Sequence, residues 1–398
     1  MKRREFVKKG SLASFAIGST SVALAKTFVK SPNDAIRLGI IGTGSRGGGL
    51  IPLINEVPGI TVTACSDILP FRLEDGLKKV AGQKAKAFKD YRKLLEDTDV
   101  DAVLIATPLS THSKIAMDAL DAGKHVYCEK TMAKGYRGTQ ELVTKAMQSK
   151  SIFQTGHQYH SSRLYTHVVD LIKNGKVGNI IAFECQWNRN NDWRRPVPEP
   201  ELERLINWRM YKEFSGGLVG ELCSHQIDFV NWVTDSVPLR VMGSGGIDYW
   251  KDGRETYDNI HLLYDYPKGI KAKFTCITSN ALNHYQIKVQ GDKGTIILDY
   301  LKAWFYPEGS YDKKIGEVDG VAGATVSWDE GKGIPIEVSH ADPSKQAIMD
   351  FKSSILSNSR PSSDIESGAK VAIAVQMGLD AMYKNEIVGW NDSVLEQR

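Results

Sequence analysis

Leu38-Gly39-Ile40-Ile41-Gly42-Thr43-Gly44-Ser45-Arg46-Gly47 places a G-x-G-x-x-G loop directly after a short, uninterrupted apolar run. Such a run, followed at once by a helix start, fits a strand buried on both faces of a parallel sheet. Gly42 allows the tight turn, Gly44 lets the backbone approach a pyrophosphate, and Gly47 lets helix and strand pack closely. With 36 glycines in 398 residues, the bare pattern can arise by chance. Asp67 gives it weight, standing 20 positions after Gly47 at the end of a second apolar run, Ile60–Cys65. A carboxylate there hydrogen-bonds an adenosine ribose and repels a 2′-phosphate, which favours NAD over NADP. Arg72 is near enough in sequence to weaken that preference if it folds back. The stretch reads as a dinucleotide site.

Residues 1–25 read as a targeting segment rather than as structure. Lys2-Arg3-Arg4-Glu5-Phe6-Val7-Lys8-Lys9 precedes a modest apolar stretch, Leu12 to Leu24, too short to span a bilayer stably. Ala23-Leu24-Ala25 supplies a small-residue cleavage pattern. The segment resembles a twin-arginine (Tat) export signal, implying a bacterial protein carried folded to the periplasm or beyond. The leader accounts for the whole formal net charge of +4. The remainder is neutral, giving no support for a nucleic-acid partner, and no stable membrane span is expected after processing. Cys65, Cys128, Cys185, Cys223 and Cys276 are odd in number and lack C-x-x-C spacing, so they read as free structural thiols.

Residues 34–155 alternate short apolar runs with helix-like stretches, the βαβ signature. Helices are expected over Thr111–Ala122 and Tyr136–Ser149. The helix after the glycine loop is poorly favoured, with Gly47-Gly48-Gly49 at its start and Pro52 inside. From residue 156 to 385 the texture becomes that of an α+β domain with an open, largely antiparallel sheet. A helix near Leu222–Thr234 interrupts its strands, and helices near Lys345–Ser357 and Ile365–Tyr383 close it.

Ala106-Thr107-Pro108-Leu109-Ser110-Thr111-His112, and then Ala119 through His125-Val126-Tyr127-Cys128-Glu129-Lys130, strongly resemble the Gfo/Idh/MocA oxidoreductases. In that family a T-P-x-x-x-H segment ends the third strand, and A-G-K-H-V-x-x-E-K-P forms the next helix-to-strand unit. The resemblance extends over residues 36–385. It implies a Rossmann domain whose cofactor site uses Gly42, Gly44, Ser45, Arg46, Gly47 and Asp67. Thr107, Pro108, His112, Glu129 and Lys130 complete that site. It also implies a homo-oligomer, a dimer or a tetramer, and makes Lys130 a catalytic lysine that also touches substrate. A lysine ending a parallel strand does project into the crevice where ligands bind. Thr131 replaces the family proline, so any cis bond after Lys130 is expected to be lost.

Gly216-Gly217-Leu218-Val219-Gly220-Glu221-Leu222-Cys223-Ser224-His225-Gln226-Ile227-Asp228 resembles the family's second conserved segment, with Glu221 for the usual aspartate. On a helix Glu221 and His225 share one face. His225 is the candidate general base, with Glu221 orienting it or stabilising its charged form. Asp228 reads as structural. His157 and His160 are spaced i, i+3, but no third ligand accompanies them, so no metal is expected.

Tyr159, Trp193 and Arg194, with Lys130 and His225, are the candidate substrate contacts. Trp187–Arg195 and Trp208–Tyr211 combine faces that stack on sugars with groups that bond hydroxyls, though such stretches also form subunit contacts. The leading expectation is an exported sugar or polyol oxidoreductase with tightly bound NAD. Two alternatives stand beside it: a glycoside-cleaving enzyme working by oxidation, elimination and re-reduction, and a non-catalytic binding protein of the same fold.

Overall fold

Two sheets organise the chain. The structure, a computed structural model, describes residues 35–308, 333–339 and 342–394. The twin-arginine segment and its cleavage site lie outside the described residues. The first sheet holds β1 (Ile36–Ile41), β2 (Ile60–Ser66), β3 (Lys86–Phe88), β4 (Ala102–Ile105), β5 (His125–Cys128) and β6 (Phe153–Thr155). All pairings are parallel, in the order β3-β2-β1-β4-β5-β6. This is the doubly wound order, whose switch point lies between β1 and β4. The glycine loop leaves β1 at that point.

Helices α1 (Ser45–Asn55), α2 (Pro70–Lys79), α3 (Tyr91–Leu95), α4 (His112–Asp121) and α5 (Gly135–Gln148) link these strands. α1 forms despite its glycines and Pro52 because Leu50, Ile51 and Ile54 are buried under it. Each burial contributes about 1.5–3 kcal/mol. The opposing propensities cost about 1 kcal/mol per glycine and 3 for proline, so packing overrides local preference.

The second sheet follows α6 (Arg163–Lys173). It holds β7 (Ile180–Trp187) and, after α7 (Glu203–Ile206) and α8 (Ser224–Thr234), the strands β8 (Arg240–Gly246), β9 (Asn259–Asp265) and β10 (Lys271–Ile277). β11 (Tyr285–Gly291), β12 (Gly294–Asp299), β13 (Lys302–Pro307) and β14 (Ile334–Pro335) extend it. Helices α9 (Pro343–Ser357) and α10 (Ile365–Lys384) precede β15 (Val388–Gly389). The order is β14-β13-β12-β11-β7-β10-β9-β8-β15, antiparallel except between β7 and β10.

The chain returns at its end to the first domain. Sequence order places α9 in the second domain, but its Ala347, Ile348 and Phe351 are buried in the β1 core, with Phe351 edge-on to Tyr127 at 5.7 Å. The apolar stripe it presents fits the first domain instead. α10 packs against both α5 and α8 and joins the domains. All five cysteines are buried and free.

Candidate active site

A cavity of about 900 Å³ opens between the domains at the carboxyl ends of β1, β2, β4 and β5. Its floor in the first domain is the glycine loop. Gly42 has φ of 88°, in the left-handed region that glycine tolerates. A Cβ on Gly47 would lie 1.9 Å from the Gly42 carbonyl oxygen, so that position packs helix on turn and does not line the cavity. Gly44 caps α1 with no side-chain bond to the first turn and no acid within it, leaving the helix N–H groups to an anion.

The Asp67 carboxylate accepts from the Thr43 and Leu69 backbone N–H groups, each at 2.9 Å. It stiffens the loop, with Oδ2 also 3.4 Å from the Thr43 hydroxyl, and lines the cavity. Arg72 does fold back: its guanidinium reaches within 3.5 Å of where a Gly44 Cβ would sit. Ser45, Thr107 and Pro108 line the same wall. These groups fit a dinucleotide: free helix N–H groups and Arg72 for a diphosphate, Asp67 for a ribose.

Several expected cofactor residues line the cavity and are also bonded to its framework. Arg46 Nε donates to Glu129 at 2.7 Å, and its Nη1 lies 3.3 Å from the Ser344 hydroxyl. His112 is buried with its ring nitrogens 2.9 Å from the Thr131 and Thr107 carbonyls, stapling two loops together. The expectation at Thr131 is overturned, because the Lys130–Thr131 bond is cis. Thr131 is buried there, its carbonyl on His112 and its hydroxyl 3.5 Å from the Gly220 carbonyl, so the surrounding contacts hold this turn without proline.

Lys130 Nζ donates to the Glu221 carbonyl at 2.8 Å and the Gly220 carbonyl at 3.4 Å. An ammonium has three donors, so one remains for the cavity. Burial pushes its pKa down, opposed by the charges of Glu221 and Glu129. His225 is buried, and burial followed by the Lys130 charge holds its pKa well below the ordinary imidazole value. It is therefore neutral near pH 7, and its Nδ1 has no hydrogen-bond partner among the described residues.

Glu221 does not orient His225. Residues Val219–Cys223 form a π-helical turn, which adds a residue and breaks the shared face expected from i, i+4 spacing. The Glu221 carboxylate instead accepts from Arg209 Nε at 2.7 Å. Burial raises its pKa, but Arg209 and Lys130 outweigh that and hold it low.

Two expected substrate contacts are placed elsewhere. Arg194 is spent on Glu203 and Asp252, the latter at 3.0 Å from Nε, and does not line the cavity. Tyr159 is buried beneath the site, stacked on Tyr165 at 4.1 Å with its ring 5.1 Å from that of His225. Trp193 does line the cavity. Lining residues not named individually as contacts from the sequence include Trp187, Arg189, Arg195, Arg209, Gln158 and Tyr300. Trp187 is legible in the pattern, since it shares the buried parity of Phe183 and Cys185 along β7.

His157 lies 5.8 Å from His225 and 3.2 Å from the Thr155 hydroxyl, while His160 pairs with Asp228 at 3.0 Å. Burial pushes His157 down to about 4 from its usual 6.5. The unfolded chain therefore binds this proton first as pH falls. The contribution of His157 to stability is full above pH 6.5 and is lost between 6.5 and 4, by roughly 3 kcal/mol. His157→Asn is expected to flatten that part of the pH dependence, measured as urea midpoints at pH 7 and 4.5. An equal fall in both proteins would refute the assignment.

Residues 36–157 match the family described as oxidoreductase family, NAD-binding Rossmann fold. Residues 165–297 match the GFO/IDH/MocA C-terminal domain. The chain belongs to the GFO/IDH/MocA oxidoreductases. Levoglucosan dehydrogenase of Pseudarthrobacter phenanthrenivorans is 24% identical over 264 residues, spanning 58% of this chain and 66% of that one. A 2,7-anhydro-N-acetylneuraminate hydratase of Mediterraneibacter gnavus is 26% identical over 263 residues, 65% of this chain and 66% of the relative. Both alignments thus stop just short of two thirds of the relative. A solved levoglucosan dehydrogenase with NADH and levoglucosan superposes with a TM-score of 0.69 at 20% identity, covering 89% of this chain and 99% of that one. Among the described residues no helix is long and apolar enough to cross a membrane.

Proposed function

We propose that this protein is an exported oxidoreductase that removes hydride from a carbohydrate hydroxyl carbon, with NAD held in the cavity. The observation that carries the reading is the convergence of Lys130 and neutral His225 on one wall of the cavity that begins at the glycine loop. The remaining Lys130 donor holds the substrate hydroxyl oxygen, and the imidazole of His225 accepts its proton. Bound NAD supplies the hydride acceptor. Asp67 favours NAD over NADP, with Arg72 placed over Gly44, the diphosphate end. His225 takes the proton without first having to lose one, because burial already keeps it neutral.

Export would part the protein from any cytosolic nicotinamide pool, so the cofactor is carried out bound and the cycle is redox-neutral. The hydride is returned to the same sugar or to a second one. A second reading has support in the hydratase relative. Oxidation acidifies the neighbouring C–H, a substituent is eliminated, water adds and the hydride is returned.

The test is to purify the mature protein, dialyse it extensively, and assay sugar conversion with no nicotinamide added. The dialysed protein is expected to release NAD(H) on denaturation and to convert sugar unaided. Nucleotide-free protein that works only with added nicotinamide would overturn tight binding, and release of NADP(H) would overturn the NAD assignment.

A further inference from the structure

The cavity carries more positive charge than a dinucleotide and its own acids account for. Arg46 is paired with Glu129, Arg209 with Glu221, and Arg92 with Asp90. Arg204 is directed at Glu213 and Glu255. Arg72 covers Gly44 beside Asp67, where a diphosphate belongs. Arg189 and Arg195, which line the second-domain side, form no ion pair among the described residues.

Arg189 is held in place rather than waving in solvent. Its guanidinium carbon lies 5.5 Å from the Trp187 ring centre and 5.7 Å from that of Trp193. Its Nε is buried without a hydrogen-bond partner among the described residues. The groups acting on it are Cys276, Tyr300 and Arg209, with no carboxylate, and burial lowers its pKa. A half-buried guanidinium whose Nε is desolvated and unpartnered beside two indoles is a costly arrangement that an incoming oxyanion relieves. The Trp187 ring that flanks it lies 5.9 Å from the His225 ring, so the charge stands one aromatic ring away from the candidate base. Arg195 lines the same cavity, and its charge, like that of Arg209, reaches Arg72 across the domain gap.

We propose that the substrate is a carbohydrate bearing an anionic oxygen group, seated on Arg189 and Arg195 while its reacting hydroxyl lies between Lys130 and His225. The statement about the hydroxyl rests on the function proposed above; the anion seat rests on the arginines alone. Carboxylate, phosphate and sulfate share the chemistry that a guanidinium fork recognises.

Tryptophan fluorescence of the NAD-saturated protein reads occupancy directly, since Trp187 and Trp193 flank the seat. Matched pairs are titrated: D-glucuronate, glucose 6-phosphate and glucose 6-sulfate against D-glucose, and D-galacturonate against D-galactose. At least one anionic member is expected to bind roughly tenfold or more tightly than its neutral counterpart, the scale of one charge-assisted hydrogen bond. That advantage should shrink with added salt and fall about tenfold in Arg189→Gln, with a smaller fall in Arg195→Gln. Which anion wins identifies the group.

Neutral sugars binding as well or better in every pair, or no anionic sugar binding at all, overturns the proposal. So does a variant pair that weakens both members equally, the mark of a structural role. An anionic preference without any hydride transfer would leave the anion seat standing and refute the proposed reaction instead.

Discussion

Replacing His225 with alanine is expected to lower turnover by roughly two to four orders of magnitude, the range for losing a positioned base. Lys130→Ala should fall in the same range, because it removes the donor that holds the substrate oxygen. Nicotinamide affinity should survive both changes, since Asp67, Gly44 and the α1 N-terminus are untouched. The pH profile separates the two roles. His225 works neutral and its pKa lies well below 6.5, so the acid limb of kcat/KM should fall well below that value and vanish in His225→Ala. Lys130 works protonated and is pushed below its usual 10.5, so the alkaline limb should begin lower than that and vanish in Lys130→Ala. Turnover within tenfold of wild type in either variant, on the true substrate, would remove that residue from the chemistry.

Features that depend on residues close together along the chain are legible in the sequence itself. The strand, the glycine spacing and Asp67 lie within one βαβ unit, and local spacing dictates their geometry. Lys130 is legible for the same reason, as the residue two places beyond the last residue of β5. What escapes is set by partners far along the chain. Arg194 and Arg195 are adjacent, yet one is consumed by Asp252, 58 positions away, and the other faces the cavity. Pairing Glu221 with His225 relies on a spacing rule that holds only for a regular α-helix; the π turn cancels it. The loss expected at Thr131 considers one residue's chemistry and not the His112 ring against its carbonyl. α9 carries the correct apolar stripe, but a stripe does not say which core it will enter.

Gly47→Ala is expected to abolish nicotinamide binding in practice, lowering affinity by roughly a hundredfold or more, while Gly49→Ala should be harmless. The two positions are two residues apart on one helix, and local propensity treats them alike, favouring alanine by about 1 kcal/mol. Their surroundings differ. A Cβ at Gly47 would stand 1.9 Å from the Gly42 carbonyl oxygen and 3.2 Å from the Ala106 Cβ. The first obstacle is backbone, so no side-chain rotation relieves it. α1 must tilt away from β1, and the N–H groups at its start then leave the place where a diphosphate is held. Overpacking of this kind also costs about 1–3 kcal/mol of stability. A Cβ at Gly49 would meet nothing within 4 Å, so that variant should gain the propensity term and keep the cofactor. Thermal melts and NAD titrations of both variants make the comparison. If Gly47→Ala binds NAD as tightly as Gly49→Ala, the glycine loop is not where the cofactor sits.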